Sequence, residues 1–249
     1  MAMNDELLAK VKQLRLHQLA SRWDEYLQLA TKEKYSAARL LQLVIDQEFE
    51  AKRESSRKLR RKRANVPEEW ELETFPFSRQ PKLDRRRIQS LYDSFDYIDK
   101  CQNIVWLGPT GCGKTGLATA FLLHAIDRGC RGYFITFPEL IERLFQSLAD
   151  HSQGKVFRRF ASYDCLVVDE VGYVETEPTQ VGQFFTLMQR RHKTKTTLIT
   201  TNLGFLEWNS FLKNAHLTSA LMDRLSETSH VFNMKGCKSL RAKLADESE

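Results

Sequence analysis

No run of apolar residues in this chain approaches the ~20 needed to cross a bilayer, and its start, Asn4-Asp5-Glu6, lacks the apolar core of a signal peptide. Both absences lead to the expectation of a cytoplasmic protein with no membrane partner. The five cysteines, Cys101, Cys112, Cys130, Cys165 and Cys237, are odd in number, scattered, and include no C-x-x-C pair. That pattern argues against a disulfide framework and against a zinc site. There is no internal repeat and no low-complexity tract. The chain is well supplied with core-forming material, 42% hydrophobic over 249 residues, which suffices for one main domain and a smaller appendage.

Net charge is absent from most of the length. Residues 67 to 90 hold 5 Lys/Arg against 5 Asp/Glu, and residues 91 to 249 hold 18 against 18. The excess lies in residues 1 to 66, with 15 against 9. A basic module joined to a neutral one suggests a polyanionic partner for the first and separate chemistry for the second.

In the basic part, Leu8, Val11, Leu14, Leu19, Trp23, Tyr26, Leu27 and Ala30 recur at three- and four-residue intervals, predicting an amphipathic helix. Ala37, Leu40, Leu41, Val44, Ile45 and Phe49 predict another, with Ser36 as its N-cap, continuing into a run from Arg57 to Arg63. Pro67 ends this region, and the stretch Glu68 to Pro81 reads as a linker. Beyond Asp99 short apolar runs alternate with helical patterns, which predicts an α/β domain with a parallel sheet. The expected strands are Ile104 to Leu107, Tyr133 to Thr136, Cys165 to Val168, Thr197 to Thr201 and Val231 to Met234. Helices are expected over Thr115 to Asp127, Glu139 to Leu148 and Gln180 to Arg191. The domains predicted are therefore 1–66, basic and helical; 67–90, a linker; and 91–249, α/β.

Between the first strand and its helix stands Gly108-Pro109-Thr110-Gly111-Cys112-Gly113-Lys114-Thr115, followed by Gly116, with the G-x-x-x-x-G-K-T spacing of a phosphate-binding loop. Its glycines let backbone N–H groups turn inward around phosphates, and the helix N-terminus favours negative charge. Lys114 is expected at the β- and γ-phosphates, and Thr115 at Mg²⁺. The strand Cys165 to Val168 ends in Asp169-Glu170, at the carboxyl edge where α/β sheets present ligands. Asp169 is expected to hold Mg²⁺ and Glu170 to polarise the attacking water of ATP hydrolysis. Asn202, ending another strand, is a candidate to hold that water; Arg224 and Arg241 are candidates to neutralise transition-state charge.

These stations resemble the AAA+ ATPases of the initiator and loader branch, and within it the IstB family, ATP-binding helpers of insertion-sequence transposition. The resemblance covers most of the chain. It includes Leu40-Leu41, Glu48, Lys52-Arg53 and Arg57; Phe75-Pro76-Phe77, Gln80-Pro81, Leu83-Asp84-Arg85; Asp169-Glu170-Val171-Gly172-Tyr173; Asp223-Arg224-Leu225; and Gly236, Ser239-Leu240-Arg241. It departs from the family at Gly116, where His is common, at Thr201 in place of Ser, and at Leu240 in place of Tyr. The resemblance implies a five-stranded parallel AAA+ sheet with a reduced or absent lid, preceded by a small helical domain. It implies that Asn202 is sensor 1, Arg224 an arginine finger acting on a neighbouring subunit, and Arg241 the sensor 2 arginine. It also implies a homo-oligomer, formed on double-stranded DNA in the ATP state, that delivers or activates a transposase. Candidate DNA contacts are Arg53, Arg57, Lys58, Arg60, Arg61, Lys62 and Arg63, able to neutralise phosphates without reading sequence. A second surface is Lys155, Arg158 and Arg159. The nearest rival is a DnaC-like helicase loader sharing the same core. A small-molecule kinase on the same loop lacks an evident acceptor site and leaves the basic N-terminus without a role.

Overall fold

A computed structural model of the chain describes residues 3–173, 176–227 and 229–241. The chain divides into two compact units, Met1–Leu59 and Arg60–Glu249. In the first unit the apolar stripe expected as one helix is cut into three: α1 (Asp5–Gln13), α2 (His17–Ser21) and α3 (Trp23–Lys32). Arg15 takes a positive φ of 57°, which ends α1, and Arg22, with φ −120°, separates α2 from α3. Leu16, preceding α2, offers no side-chain cap; Leu19 N instead donates to the buried carboxylate of Glu48 at 2.7 Å. Glu48 and its neighbour Gln47, whose Oε1 accepts from Arg22 and from the Tyr26 hydroxyl at 2.7 Å each, lie on α4 (Ala37–Arg63). Ser36 caps α4 as expected, its Oγ accepting from Arg39 N at 3.2 Å.

The second unit takes in the last residues of α4. Ala64 O accepts from Phe134 N at 2.7 Å and Asn65 Nδ2 donates to Phe134 O at 3.1 Å, so the chain leaving α4 lies along the sheet. This backbone pairing is why the units divide at 59/60, seven residues ahead of the boundary read at Pro67. The stretch read as a linker is packed. It forms short 3-10 turns at Leu72–Thr74 and Phe77–Arg79, and Leu72, Phe75, Gln80 and Leu83 are buried. Its prolines signal turns, but its apolar side chains join the core.

After α5 (Arg85–Ser94) and α6 (Asp96–Asp99) come β1 (Asn103–Leu107), α7 (Lys114–Asp127), β2 (Gly132–Thr136), α8 (Phe137–Ala149) and α9 (Gln153–Ser162). Then follow β3 (Cys165–Val171), α10 (Pro178–Arg191), β4 (Thr196–Thr201), α11 (Trp208–Leu212), α12 (Ala215–Glu227) and β5 (Ser229–Asn233). The five strands form one sheet, ordered β2-β3-β4-β1-β5, with every pairing parallel. Successive residues of β1 serve opposite faces, as strand geometry requires. Ile104 and Trp106 join a core with α7, α5 and residues 72–83, while Val105 joins one with α8, α9, α10, α11 and α12. Helices on both faces explain why the strands read as short continuous apolar runs. Among the described residues no helix follows β5, and none is long and apolar enough to cross a membrane.

Candidate nucleotide-binding site

β1, held between β4 and β5, delivers the chain to Gly108, whose N donates to Thr201 O at 3.1 Å. Gly111 and Gly113 adopt φ of 78° and 99°, and Gly113 passes so close to Phe75 that a Cβ would stand 2.7 Å from its ring. Lys114 opens α7 and folds its ammonium back over the loop, donating to Gly108 O and Pro109 O at 2.8 Å each. Burial pulls its pKa below the ordinary lysine value, against the attraction of Cys112, Asp169 and Glu170. The arrangement puts a positioned cation and a helix N-terminus at one place, the chemistry that receives a phosphate chain.

Asp169 and Glu170 are successive strand residues and in a regular strand would point to opposite faces. The β3–β4 register shifts between Val168 and Val171, and Glu170 takes a φ of 62°. With this bulge both carboxylates line the same cavity. Asp169 is buried and accepts from Thr115 Oγ1 at 3.1 Å on each oxygen and from Thr200 Oγ1. Burial raises its pKa, against the hydrogen bonds from Thr200 and Thr115. Glu170 is exposed, and its N donates to Thr200 Oγ1 at 3.0 Å. The pairing of a Thr hydroxyl with a carboxylate fits Mg²⁺, which takes one or two protein ligands and leaves its other positions to water and phosphate oxygens. Among the described residues no group of three or more His, Cys, Asp or Glu could hold a metal.

Around these residues lies a cavity of about 500 Å³, within the range of small-molecule sites. Arg241 lines it, carried by a C-terminal strap. Met234 N donates to Leu107 O at 2.6 Å and Leu240 N to Gly111 O at 2.7 Å. A Cβ on Gly111 would lie 3.6 Å from Arg241 Cδ, so Leu240 in place of the family's Tyr leaves the arginine at the loop. Asn202 does not line the cavity; its Oδ1 is buried near Gly172 with no hydrogen-bond partner among the described residues.

Arg224 stands elsewhere. Its Nη1 donates to Ala220 O at 2.7 Å, its guanidinium lies over Phe185, and it shares a small crevice with Asn103 and Thr197. Asn103 begins β1 and Thr197 lies near the start of β4, so Arg224 is at the amino end of the sheet, about 13 Å of strand from the loop. Two residues that the sequence reading quoted in its family motifs without a role complete the site. Buried Gln80 donates from Nε2 to Cys112 O at 3.1 Å and Lys238 O at 2.6 Å, and its Oε1 accepts from Lys238 N at 3.0 Å, tying loop to strap. Tyr173 OH meets Thr110 Oγ1 at 2.9 Å across the cavity mouth. The sequence signs were the Gln80-Pro81 and Asp169-to-Tyr173 motifs of the resemblance, neither of which gives the bond it makes.

The basic residues differ in availability. Arg53, Lys58, Lys62 and Arg63 are exposed on α4, the first two beside Glu50 and Glu54. Arg57 is held by both carboxylate oxygens of Glu54. Arg60 donates to Ile126 O at 3.3 Å, and Arg61 is largely buried against Asp127 and Glu69. Arg61 therefore serves the fold, and phosphate contact through it would cost those ion pairs. On α9, Lys155, Arg158 and Arg159 are all exposed; Arg158 donates to Gly154 O at 3.1 Å, and Arg159 lies over Tyr133 and donates to Tyr163 OH at 3.4 Å.

A parallel sheet of this order, a glycine-rich loop between β1 and α7, and paired carboxylates near the end of β3, one strand removed from β1 across β4, define an AAA+ P-loop nucleotide-binding protein. The fold is shared with the DnaC helicase loader, at TM-score 0.53 and 24% identity over 61% of this chain and 88% of that one. It is shared too with AMPPCP-bound DnaA from Aquifex aeolicus, at TM-score 0.58 and 17% identity over 71% of this chain and 53% of that one. These likenesses are of fold alone. The chain belongs to the IstB family: the family model described as IstB-like ATP binding protein matches residues 9–248. It is 33% identical, over 90% of its length and 88% of the relative's, to a Geobacillus stearothermophilus protein described as a putative ATP-binding protein of insertion sequence IS5376. It is 29% identical, over 93% and 87%, to the corresponding protein of insertion sequence IS21 from Pseudomonas aeruginosa.

Proposed function

We propose that this protein hydrolyses ATP within an assembly of its own copies on double-stranded DNA, and that in the ATP state it recruits or activates a transposase at the target. The insertion-sequence context of its relatives and the exposed cations of α4 support the DNA and transposase parts. Lys114 and the loop amides receive the β- and γ-phosphates, Thr115 and Asp169 hold Mg²⁺, and Arg241 adds positive charge from the strap. Glu170 orients and polarises the attacking water as general base. Mg²⁺ supplies neutralisation of the phosphate oxygens when bound.

The observation that carries the reading is the position of Arg224. It lies at the opposite end of the sheet from Thr115 and Asp169, out of reach of its own cavity, which supports a role on the nucleotide of a neighbouring copy. Mixing tests this. Arg224→Ala and Lys114→Ala, each inactive alone, recover partial ATPase activity when combined on DNA, because the first still binds ATP and the second still offers its arginine. Demonstrated co-assembly without recovery would remove the assignment in trans.

A further inference from the structure

The cavity is lined by two chemically different sets of residues. Besides Lys114, Thr115, Asp169, Glu170 and Arg241 it is walled by Pro67, Glu68, Trp70, Gly116 and Thr119, of which Trp70 and Thr119 have no role in the phosphate site. Helix α7 rises ~1.5 Å per residue, so Gly116 and Thr119 stand roughly 3 and 7.5 Å along its axis from Lys114. Half-buried Trp70 packs on this turn, with Cδ2, Cγ and Cε2 at 3.1, 3.3 and 3.4 Å from where a Cβ of Gly116 would be. Glycine there lets the indole approach the helix. The Thr119 hydroxyl, on the same wall, is fully buried and has no hydrogen-bond partner among the described residues.

We propose that Trp70 is the stacking platform for the base of the bound nucleotide, with Thr119 as a hydrogen-bonding group beside it. The inference rests on the ATP reading and extends it to the base. With phosphates at the start of α7 and the carboxylates occupying the polar side, the base runs along the helix toward the aromatic wall. Indole stacking suits any base, since every base presents a π-face, so Trp70 sets affinity for the nucleoside part and leaves base identity open.

The test titrates full-length protein with ATP and with inorganic tripolyphosphate, both with Mg²⁺, by calorimetry and by tryptophan fluorescence. Trp70→Ala lowers ATP affinity about tenfold, the scale of one base stack, and leaves tripolyphosphate affinity unchanged. Trp70→Phe keeps ATP affinity within about threefold of the unaltered protein and abolishes the ATP-induced quenching, the stack being partly retained and the reporter lost. Unchanged ATP affinity in Trp70→Ala, equal loss of both ligands, or quenching that survives in Trp70→Phe would overturn the proposal. If the unaltered protein bound neither ligand, the ATP reading itself would fall and this one with it.

Discussion

Gln80→Leu removes an amide of similar bulk that makes three hydrogen bonds from a position 1% exposed. At about 1 kcal/mol net per bond the loss is about 3 kcal/mol, and the Cys112 carbonyl is left without its amide partner within the loop. For a domain of this size each kcal/mol moves the transition by roughly 2–4 °C, giving a fall in Tm of about 6–12 °C. The strap does not come away entirely, because Met234 N and Leu240 N still donate to Leu107 O and Gly111 O. The fold therefore survives while Arg241 loses its fixed position, and ATP affinity falls with Tm. Gln80→Glu is no better than leucine, since a carboxylate would face the carbonyl oxygens of Cys112 and Lys238. Scanning calorimetry with and without ATP reads both effects. A Tm within about 2 °C of the unaltered protein, or a normal ATP-induced shift in the variant, would refute the clamp.

Lys114→Ala is expected to lose nucleotide binding, whereas Glu170→Gln keeps ATP affinity and loses hydrolysis, because it spares the loop and metal ligands and removes the base; equilibrium binding and phosphate release distinguish them. Reversing the charges of Arg53, Lys58, Lys62 and Arg63 weakens double-stranded DNA binding for all sequences alike. The slope of log affinity against log salt, measured by anisotropy, becomes shallower by about 0.9 for each phosphate no longer neutralised. His124, stacked on Tyr92 at 3.8 Å, has its pKa pushed down to about 4 by burial and by Arg128. Its folded pKa lies below the unfolded value of about 6.5, so its contribution is complete above pH 6.5 and is lost as pH falls toward 4. Between pH 7 and 5 urea unfolding should show a loss of stability that is smaller by about 1 kcal/mol, after solvent screening, in His124→Phe, which keeps the ring stack; the rest of the loss belongs to groups such as His192 and His230, whose pKa values burial also lowers.

The strands and the phosphate loop were legible because their signals are local. A strand buried on both faces reads as a short apolar run, and G-x-x-x-x-G-K-T fixes its own backbone turn. What escaped depends on partners distant in sequence. Arg61 stands in a basic run that reads as a phosphate-contacting face, and nothing there announces Asp127, 66 residues on. The prolines of 67–81 are true turn signals, yet only the fold brings Phe75 under Gly113 and Gln80 between loop and strap. The bulge at Glu170 is likewise silent, although it decides that two adjacent carboxylates share one cavity.

On the proposed reading, the groups of one subunit divide by what they stabilise. Lys114, Thr115, Asp169, Arg241 and Trp70 lie around one cavity and act on bound ATP, in the ground state as well as the transition state. The part of each contact that is equal in the two states raises affinity without raising the rate of the chemical step. Arg224, the group assigned to the developing charge of phosphoryl transfer, stands at the other end of the sheet and cannot serve its own cavity. An arginine supplied to a phosphoryl-transfer site is worth roughly 10³-fold or more, or about 4 kcal/mol of barrier. An isolated copy would then bind ATP and hold it, and assembly would switch on turnover. The same separation predicts that ATPase activity rises more steeply than linearly with protein concentration on DNA, while ATP affinity per subunit stays nearly constant. Turnover proportional to concentration down to the fully dissociated chain would mean that the cavity needs no neighbour.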